Sequence, residues 1–519
     1  MQLKDHDLRQ LDAARLRQLG EQQPVALVEL SVRLLDDLKE AREQLNQNPD
    51  NSSVPPSSRA PWSRNKPPPA AEAEPEPPPD PSPEDSAAAR RKLPNTKESP
   101  PARRPGKQLG APGHARTQVL AVTHTVDHYP DHCALCAAAL PPEPGVCYTG
   151  YQVADVTFGE PAHPVLGVIS TEHRCYATTC HACGHVTRCE PYRALPTAGD
   201  WAGVAIAEWR LIGPALAALL VWLHFRMYLS MRRCQEFSGE LLGLSLSTGA
   251  IAQAIHEAAH ACEPVPPQIQ REILRSDLLH GDETPHDQAG EFLWLWVIAS
   301  THAALFFIGR RTKELLRGRI GAELAGWLMA DGYGAYREYR YRLRCWAHLI
   351  RKARALAETF TPPVQGYGIA LLETFAVLID KVYQAREGPP QDLRPLLAAD
   401  LARLHALCEN MRRSQNAKAA ALGGEFLNDW DAIFQVLAHP HLPLTNNYAE
   451  RLLRHWVILR RIGYGTRTAQ GSLALATFAS IIETCRLRHA SPLRYLHQVI
   501  AARRQGLEAP ALPLMPVSA

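Results

Sequence analysis

The stretch LLHGDETP, residues 278–285, ends a short apolar run on two adjacent carboxylates. Apolar residues then alternate as in a strand in EFLWLWVIAS (291–300), and AALFFIGR (303–310) is a further apolar run. After a polar helical stretch, GWLMADGYGAYREY (326–339) supplies a fourth strand that ends on Asp331, and YRLRC supplies a short fifth strand leading into a helix. Three strands before the first helix, followed by alternating strands and helices, predict a ribonuclease-H-like α/β fold.

Three acidic residues occupy the places where this fold collects carboxylates. The first strand delivers Asp282 at the sheet centre, and the end of the fourth strand delivers Asp331 beside it. A later helix in LTNNYAERLLRHWVILRR offers Glu450. Hard cations such as magnesium need oxygen ligands, and phosphoryl transfer places both the attacking and the leaving oxygen on metal. We therefore predict that Asp282, Asp331 and Glu450 hold two Mg²⁺ or Mn²⁺ ions.

Each of these acids also fits a simpler structural role. Asp282 fits a cap at a strand end, and Asp331 with Gly332 fits a turn. The spacing of Asn447 and Glu450 fits a capping box at the start of a helix. Their order along these particular elements favours the catalytic interpretation.

Two Cys-x-x-Cys pairs lie upstream of this region. CALC supplies Cys133 and Cys136, and CHACGH supplies Cys180 and Cys183. Such a pair grips a tetrahedral zinc ion from a tight turn, and two pairs close the site, so the sequence predicts a structural zinc site. Free thiols are the alternative. Residues near the pairs that fit as replacement ligands are Cys147, Cys175, His181, His185 and Cys189.

By composition, the N-terminal part of the chain consists of a helical segment followed by a proline-rich segment. Residues 47–113 carry 18 of the 43 prolines, and most of the rest are Ser, Ala, Glu and Arg. This composition cannot offset the entropy of folding, so a disordered linker is predicted. Before it, residues 24–45 are predicted to form a helix with Pro24 in the first turn. Leucines at heptad spacing suit a short dimerising helix, and an ordinary amphipathic helix fits equally well.

Residues 201–262 have helical patterns. In SMRRCQEFSGELLGLSLSTGAIAQAIHEAAHA, a helix is predicted to break at Gly243, and Ser245 or Ser247 is predicted to cap the next helix. This is the outline of a helix-turn-helix, whose second helix would lie in a DNA major groove. It is equally the outline of any two packed helices.

Charge and hydropathy indicate partners and compartment. Residues 451–519 contain ten arginines and only two acidic residues, which suits a polyanion such as DNA, although a solvated surface helix has the same composition. The longest apolar run, residues 211–225, falls short of the roughly 20 residues needed to cross a bilayer. The N-terminal stretch MQLKDHDLRQ has no apolar signal region. We expect a cytoplasmic protein without a membrane segment.

The motifs HGDETP, LMADGYGAY, CWAHLIRKA and NNYAERLLR, with the paired CxxC upstream, resemble the transposases of the bacterial insertion-sequence-66 family, which belong to the DDE group. The segments NSSVPPSS and RRPGKQLGAPGH resemble the linker signatures of that family, so the resemblance spans residues 25–500. It implies a nuclease and strand transferase whose metal-binding triad is the three carboxylates above. Such an enzyme cuts DNA at the element ends and joins the freed 3′-hydroxyl to target DNA. The linker departs from the family because it is long and acidic between Glu72 and Asp85.

The resemblance also implies partners: DNA at the element ends and at the target, a homodimer or higher oligomer on DNA, and companion proteins of the element. His348 and Lys352 lie four residues apart on one helical face and would contact the scissile phosphate or flanking DNA, unless they only pack beside the sheet. Arg451, Arg454 and Arg461 follow the third acid, where phosphates would pass. Arg454 also suits an ion pair with the glutamate four residues before it.

Two other functions fit the same residues. A structure-specific nuclease such as a resolvase would share the fold and the triad without strand transfer, and a domesticated copy would bind DNA without catalysis. In either case the sequence predicts a multidomain α+β protein. Its predicted parts are an N-terminal helical segment (1–46), the linker (47–113), a zinc module (114–195), a helical region (196–265), the first part of the catalytic domain (266–345), a helical insertion (346–444), the catalytic helix with basic helices (445–500) and a tail (501–519).

Overall fold

The computed structural model describes residues 13–45, 118–142, 145–160, 162–189, 199–206 and 211–515. The predicted disordered linker lies outside these residues. The first two helices are α1 (Ala13–Gln22) and α2 (Pro24–Leu45), and α2 begins at the proline predicted to open it. Val28, Val32 and Leu35 on α2 are each more than half exposed. Dimerisation through this helix stays a prediction.

Four strands form the first sheet, which is mixed: β1 (His124–His128), β2 (Gly145–Glu160), β3 (His163–Thr179) and β4 (Val186–Arg188). The strand order is β1-β3-β2, with β4 also paired to β3, and only β1 runs parallel to β3. Ala154 and Val156 on β2 pack into the main hydrophobic core of the protein. The middle of the long β2–β3 hairpin is thereby fixed to the helices that follow.

Four helices come next: α3 (Pro214–Val221), α4 (Met231–Leu242), α5 (Thr248–Ala261) and α6 (Val265–Ile273). One π-helical turn, Trp222–Arg226, extends α3. Gly243 ends α4 in the left-handed conformation, and the Ser247 side chain caps α5 by accepting from the N–H of Ala250. Both boundaries agree with the predicted break and cap, because these signals are local.

The helix-turn-helix interpretation of α4 and α5 stays a prediction. The second half of α5 is enclosed, with Ile255, Ala258 and Ala261 fully or almost fully buried in the main core. A recognition helix contacts base edges with its N-terminal residues, and Thr248, Gly249 and Gln253 in the first half of α5 are exposed. The same core includes Val297 of the second sheet, so the boundary predicted at residue 265 does not separate two cores.

The second sheet has five strands: β5 (Leu278–Gln288), β6 (Glu291–Ala299), β7 (Ala304–Gly309), β8 (Trp327–Ala330) and β9 (Arg342–Arg344). Helix α7 (Lys313–Ile320) lies between β7 and β8 in the chain. The order is β7-β6-β5-β8-β9, with β5 at the centre. The pairs β5–β6 and β6–β7 are antiparallel, whereas β5–β8 and β8–β9 are parallel. All five predicted strands are present.

The first strand of this sheet is longer than LLHGD. It runs on through polar residues to Gln288, because its second half pairs with β6, as in the match of His286 with Leu293. Asp282 therefore lies within β5, not at its end. The backbone of Asp282 and of the residues before and after it is paired with β6, as in the match of Asp282 with Val297.

The predicted helical insertion consists of five helices: α8 (Trp346–Ala357), α9 (Pro362–Arg386), α10 (Ala398–Arg412), α11 (Ala417–Asn428) and α12 (Trp430–Ala438). These helices share a second hydrophobic cluster with Met329 and Leu343 of the sheet. By length and composition α9 is apolar enough to cross a membrane. Leu371, Phe375 and Leu378 on one face of α9 are buried in that cluster, and 28% of the apolar 18-residue window of the helix is buried.

The last three helices are α13 (Asn447–Gly463), α14 (Ala469–Leu487) and α15 (Pro492–Arg504). α14 covers the edge strand β7, which has no neighbouring strand on its outer side within the described part of the chain. The Ser480 hydroxyl accepts from the N–H of Phe306 at 2.8 Å, and the Thr484 hydroxyl accepts from the N–H of Ala304 at 3.1 Å. These side chains satisfy an edge that would otherwise be open to pairing with another chain.

We expect Ser480→Ala to destabilise the protein by about 1–3 kcal/mol, because the N–H of Phe306 would stay buried without an acceptor. Denaturant unfolding of the full chain measures this change. Ser491→Ala, which removes an exposed cap of α15 (Ser491 Oγ to the N–H of Arg494, 3.3 Å), is the comparison and should cost about 1 kcal/mol. Equal effects from the two variants would contradict the edge-covering role of Ser480.

Candidate active site and zinc site

Asp282 and Asp331 lie on neighbouring parallel strands. The register of β5 and β8 matches Leu278 with Trp327 and His280 with Met329. Continued by two residues, this register sets Asp282 opposite Asp331. Side chains alternate along a strand, so both carboxylates project from one face, on strands about 4.8 Å apart.

Glu450 reaches the same place in the first turn of α13. Asn446, the fully buried residue before this helix, donates from Nδ2 to the carbonyl of Gly281 at 2.8 Å. Its Oδ1 lies 3.1 Å from His280 Nδ1. The start of α13 is thus fastened to β5 at the residue preceding Asp282.

The simpler roles of the three acids are only partly realised. Asp331 Oδ1 accepts from the N–H of Tyr333 at 2.8 Å, which is the predicted turn. Asp282 Oδ1 accepts from the N–H of Glu283 at 2.9 Å. The capping box is not formed, because the N-cap is Asn446 and its side chain makes no bond to the helix amides. Among the described residues, the second oxygen of each aspartate accepts no hydrogen bond.

The carboxylates influence one another. Burial raises the pKa of Asp282 well above its usual value, and neighbouring acids, Asp331 and Glu450 among them, raise it further. Glu450 Oε1 is buried without a hydrogen-bond partner in the described part of the chain, and Arg351 Nη2 lies 3.6 Å from it. Carboxylate oxygens with unused acceptor capacity are the donors that Mg²⁺ and Mn²⁺ prefer, so the donor types present fit a divalent cation. Among the described residues, the ligand atoms of the three acids do not all lie within 4.8 Å of one another, whereas those of Cys345, His348 and Glu450 do.

These acids line a cavity of about 860 Å³. Its size lies at the upper end of the range for ligand sites, which leaves room for part of a nucleic-acid strand. The acidic residues of its lining are Asp282, Glu283, Asp331, Glu425 and Glu450. Basic residues surround them and include Arg311, Arg351, Lys352, Arg454, Arg460 and Arg461. A cavity lined by both acids and cations suits a phosphodiester held beside metal ions.

Two predicted DNA contacts, His348 and Lys352, lie in this cavity on α8. His348 Nε2 is 3.8 Å from Glu450 Oε1, and burial lowers the pKa of this imidazole below its usual value. Lys352 Nζ is paired with both oxygens of Glu425, at 2.7 and 3.0 Å. Contact of either residue with DNA stays a prediction.

The predicted arginines of α13 divide into two groups. Arg454 and Arg461 line the cavity, whereas Arg451 is exposed outside it. The ion pair suggested between Arg454 and Glu450 is absent from the described residues, where Glu450 instead faces His348 and Arg351. A local i, i+4 rule could not show this, because those partners come from α8.

Four further cavity residues were not singled out from the sequence: Glu283, Thr284, Arg311 and Arg460. Glu283 accepts from Arg311 on the loop after β7, and Arg460 donates to Thr284 Oγ1 at 3.0 Å. Burial and the charge of Asp331 raise the pKa of Glu283 to about 7. Glu283 stands next to Asp282 in the opening motif, which was the available signal. Its partner lies 28 residues away, and no local pattern predicts that pairing.

A buried ionic network joins β9 to the helical insertion. Asp429, between α11 and α12, accepts from Arg342 at 2.8 Å and from Arg344, while Arg344 also donates to Glu425. Burial alone would raise the pKa of Asp429, but its hydrogen bonds and the charges of Arg342 and Arg344 lower it below its usual value. Gly332 is needed beside this network, because a Cβ there would lie 2.7 Å from Arg344 Nη2 and 2.9 Å from Glu425 Oε1.

Asp429→Ala should lower the free energy of unfolding by about 3–5 kcal/mol, because the buried guanidinium of Arg342 would lose its counterion and that of Arg344 would lose one of its two. Urea or guanidinium unfolding gives the value. Asp392→Ala removes a half-exposed pair with Arg394 and should cost no more than about 1 kcal/mol. If both variants unfold at the same denaturant concentration, the buried network contributes no more than a surface pair.

The four predicted zinc ligands converge. Their sulfurs all lie within 4.8 Å of one another, and the pairs Cys133–Cys183 and Cys136–Cys180 are each separated by 3.6 Å. Tetrahedral zinc with bonds of about 2.3 Å separates its sulfurs by about 3.8 Å. Hydrogen bonds from the backbone N–H groups of Cys136 and Leu135 lower the pKa of Cys133 to about 6. The donor set fits zinc, with all four positions occupied by protein.

The two knuckles share one backbone design. The carbonyl of Cys133 accepts from the N–H of Ala137 at 2.9 Å, and the carbonyl of Cys180 accepts from the N–H of Gly184 at 2.8 Å. Ala137 and Gly184 both have a positive φ. The residues considered as replacement ligands lie outside the four-sulfur cluster: Cys147, Cys175, His181, His185 and Cys189.

Comparison with known proteins places these features in a family. The uncharacterised protein y4hP of Sinorhizobium fredii (strain NBRC 101917 / NGR234) is 23% identical over 364 residues, which cover 62% of this chain and 63% of the relative. The uncharacterised protein y4qI of the same organism is 24% identical over 307 residues, covering 53% and 57%. The chain thus spans less than two thirds of the length of these relatives. The family model described as "Transposase IS66 family" matches residues 210–474, just over half of the chain. The chain belongs to the IS66 family of transposases.

Proposed function

We propose that this chain is a DDE transposase that cuts DNA at the ends of an insertion element and joins the freed 3′-hydroxyls to target DNA. The single observation that carries the proposal is the convergence of Asp282, Asp331 and Glu450 in one cavity. They come from a central strand, the end of the parallel strand beside it and a helix far along the chain. Nothing in the local sequence requires these residues to meet.

The topology supports a ribonuclease-H-like catalytic domain. The sheet order β7-β6-β5-β8-β9 has its antiparallel strands on one side of β5 and its parallel strands on the other. Helices α8 to α12 are inserted between β9 and the helix that carries Glu450. This is the arrangement expected of the fold with a helical insertion before the last acid.

The proposed roles follow from what each group can do. The carboxylates of Asp282, Asp331 and Glu450 would hold two Mg²⁺ or Mn²⁺ ions, which when bound supply Lewis acidity at the reacting phosphate. The cations around the cavity would hold the DNA backbone. Arg454 and Arg461 lie on the helix of Glu450, so they would place phosphates beside the carboxylates. DNA is the proposed partner, bound by a homodimer or higher oligomer together with companion proteins of the element.

The test uses DNA from both flanks of the gene, because an insertion element ends in inverted repeats. Purified full-length protein is mixed with labelled end fragments, a supercoiled target plasmid and Mg²⁺ or Mn²⁺. We expect cleavage at the repeat and covalent joining of the 3′ end to the plasmid. Cleavage without joining would indicate a structure-specific nuclease. Selective binding without cleavage, under conditions in which the protein is folded, would indicate a non-catalytic DNA-binding protein.

A further inference from the structure

We propose that Arg311 binds a phosphate of the DNA backbone beside the carboxylates, and that Glu283 and Tyr333 are positioning residues for its guanidinium group. The inference rests on the proposed function, because it names a contact between this cavity and its DNA. It concerns a residue on the loop between β7 and α7, outside the motifs that identify the three acids.

Two aromatic rings hold the guanidinium of Arg311. Its central carbon lies 4.3 Å from the ring centre of Trp294 and 3.9 Å from that of Tyr333. The Tyr333 hydroxyl also donates to the backbone carbonyl of Arg311 at 2.5 Å. A guanidinium group that lies on the face of a Trp or Tyr ring is stabilised by a cation–π contact. Two such contacts restrict the Arg311 side chain to one conformation.

Glu283 fixes the rotation of the same group. Its Oε1 accepts from Arg311 Nε at 2.9 Å and from Nη2 at 2.6 Å. Its Oε2 accepts from the Tyr336 hydroxyl at 2.6 Å, and its side chain is only 1% exposed. The Tyr336 hydroxyl therefore holds one oxygen of the Glu283 carboxylate in place, while the other oxygen binds the arginine. When a carboxylate accepts from Nε and Nη2, the three remaining donors of the guanidinium, two on Nη1 and one on Nη2, are directed away from that acid.

The free edge of Arg311 lies at the cavity. The side chain is 32% exposed and lines the cavity together with Asp331. No hydrogen bond from Nη1 occurs within the part of the chain that the structure describes. Tyr333 connects the two residues, since its N–H bonds Asp331 Oδ1 and its ring contacts the guanidinium. A phosphate on Nη1 would thus be held at a fixed position relative to Asp331, and a planar two-donor edge matches phosphate oxygens.

The neighbouring Arg310 provides a matched control. It occupies the same loop and carries the same charge, but its side chain is 80% exposed and it does not line the cavity. It lies 3.6 Å from Glu291, an exposed pair of little energetic value. Long-range attraction of DNA should be nearly equal for the two arginines, so any difference between their variants reports a direct contact.

The experiment measures the affinity of the full-length chain for a labelled duplex of element-end sequence as a function of salt. An Asp282→Asn background prevents cleavage. Arg311→Ala should weaken binding several-fold. The plot of log K against log salt, which has a negative slope, should become less steep by about 0.9, the value for one phosphate contact. Arg310→Ala should leave the slope unchanged. Arg311→Lys should keep the slope and recover only part of the affinity, because the ammonium lacks the planar two-donor edge.

The positioning role is tested with Glu283→Gln, which keeps the size of the side chain and removes the charge that grips Arg311. We expect weaker binding at an unchanged salt slope, since the phosphate contact persists but is no longer preorganised. Thermal unfolding of every variant accompanies the titrations. If Arg311→Ala is too unstable to titrate, Arg311→Lys decides, and full affinity in that variant would overturn the role of the planar edge.

Arg311→Ala binding with the slope and affinity of Arg310→Ala would overturn the proposal and assign Arg311 a purely structural role. Competition by inorganic phosphate at constant ionic strength separates a free-anion site from a DNA contact. Competition that vanishes in Arg311→Ala, without any change in the DNA salt slope, would also overturn the DNA contact. Cleavage and joining by the wild type are scored separately. A transposase with an irrelevant Arg311 is therefore distinguishable from a DNA-binding chain that does not cut.

Discussion

Asp282→Asn should abolish DNA cleavage while leaving DNA binding intact. Removing one charge from the centre of the carboxylate cluster should reduce the cleavage rate by at least roughly 1,000-fold, or about 4 kcal/mol of activation free energy. Binding should persist, because it depends on the surrounding cations and not on this acid. Gel-based cleavage of end DNA measures the first effect, and fluorescence anisotropy with the same DNA measures the second.

The same substitution should have a distinct effect on stability. Burial and neighbouring acids raise the pKa of Asp282, so its ionised form is unfavourable in the metal-free protein. Metal-free Asp282→Asn should therefore be no less stable than the wild type at neutral pH. Mg²⁺ or Mn²⁺ should raise the melting temperature of the wild type, because ligands that bind only the native state stabilise it. That rise should be much smaller in the variant.

Asp287→Asn is the control, because Asp287 lies near the end of the same strand, is exposed and is outside the cavity. Its Oδ1 accepts from the N–H of Gly290 at 3.2 Å, a bond that asparagine can keep. This variant should cleave DNA and respond to Mg²⁺ like the wild type. Normal cleavage by Asp282→Asn would remove Asp282 from the triad. Equal loss in both variants would point to damage to β5 instead.

Local signals predicted the elements of the fold well. The alternation through Trp294 and Trp296 gave β6, and the buried run before Asp331 gave β8. The cap at Ser247 and the break at Gly243 depend on residues close in sequence, so both could be predicted. The length of β5 could not be predicted, because its polar second half forms a strand only through pairing with β6. Burial of α5 is likewise decided by distant elements.

The site shows the same division between local and distant information. Asp282 and Asp331 could be selected because each follows a short apolar run, and Glu450 because it lies at the start of a recognisable helix. Asn446 also lies in a quoted motif, yet its bond to Gly281 becomes visible only once α13 is packed against β5. The pairing of Lys352 with Glu425 depends on α11 packing against α8 within the insertion. Spacing along the chain carries no information about such contacts.

Cys180→Ser should remove the zinc ion and unfold the two knuckles, residues 131–140 and 180–188. The knuckles have almost no core of their own, since Leu140 is the only non-cysteine residue in their described buried cluster, with Ala138 packed against it. Zinc binding in small modules supplies about 10 kcal/mol or more of folding free energy, and loss of one thiolate removes much of it. We expect about one zinc per wild-type chain and well under one in the variant, measured by elemental analysis of freshly purified protein.

The loss of structure should stay local, because Ala154 and Val156 fix the middle of the β2–β3 hairpin in the main core, away from the knuckles. Limited proteolysis with peptide mapping should therefore show new cuts within the knuckles of Cys180→Ser while the second sheet stays protected. Cys147→Ser is the matched control, because this exposed thiol lies outside the cluster, with its Sγ 3.6 Å from the carbonyl oxygen of Thr149. It should retain zinc and resist proteolysis. One zinc per chain in Cys180→Ser, together with unchanged protection of both knuckles, would mean that the four-sulfur cluster is not the zinc site.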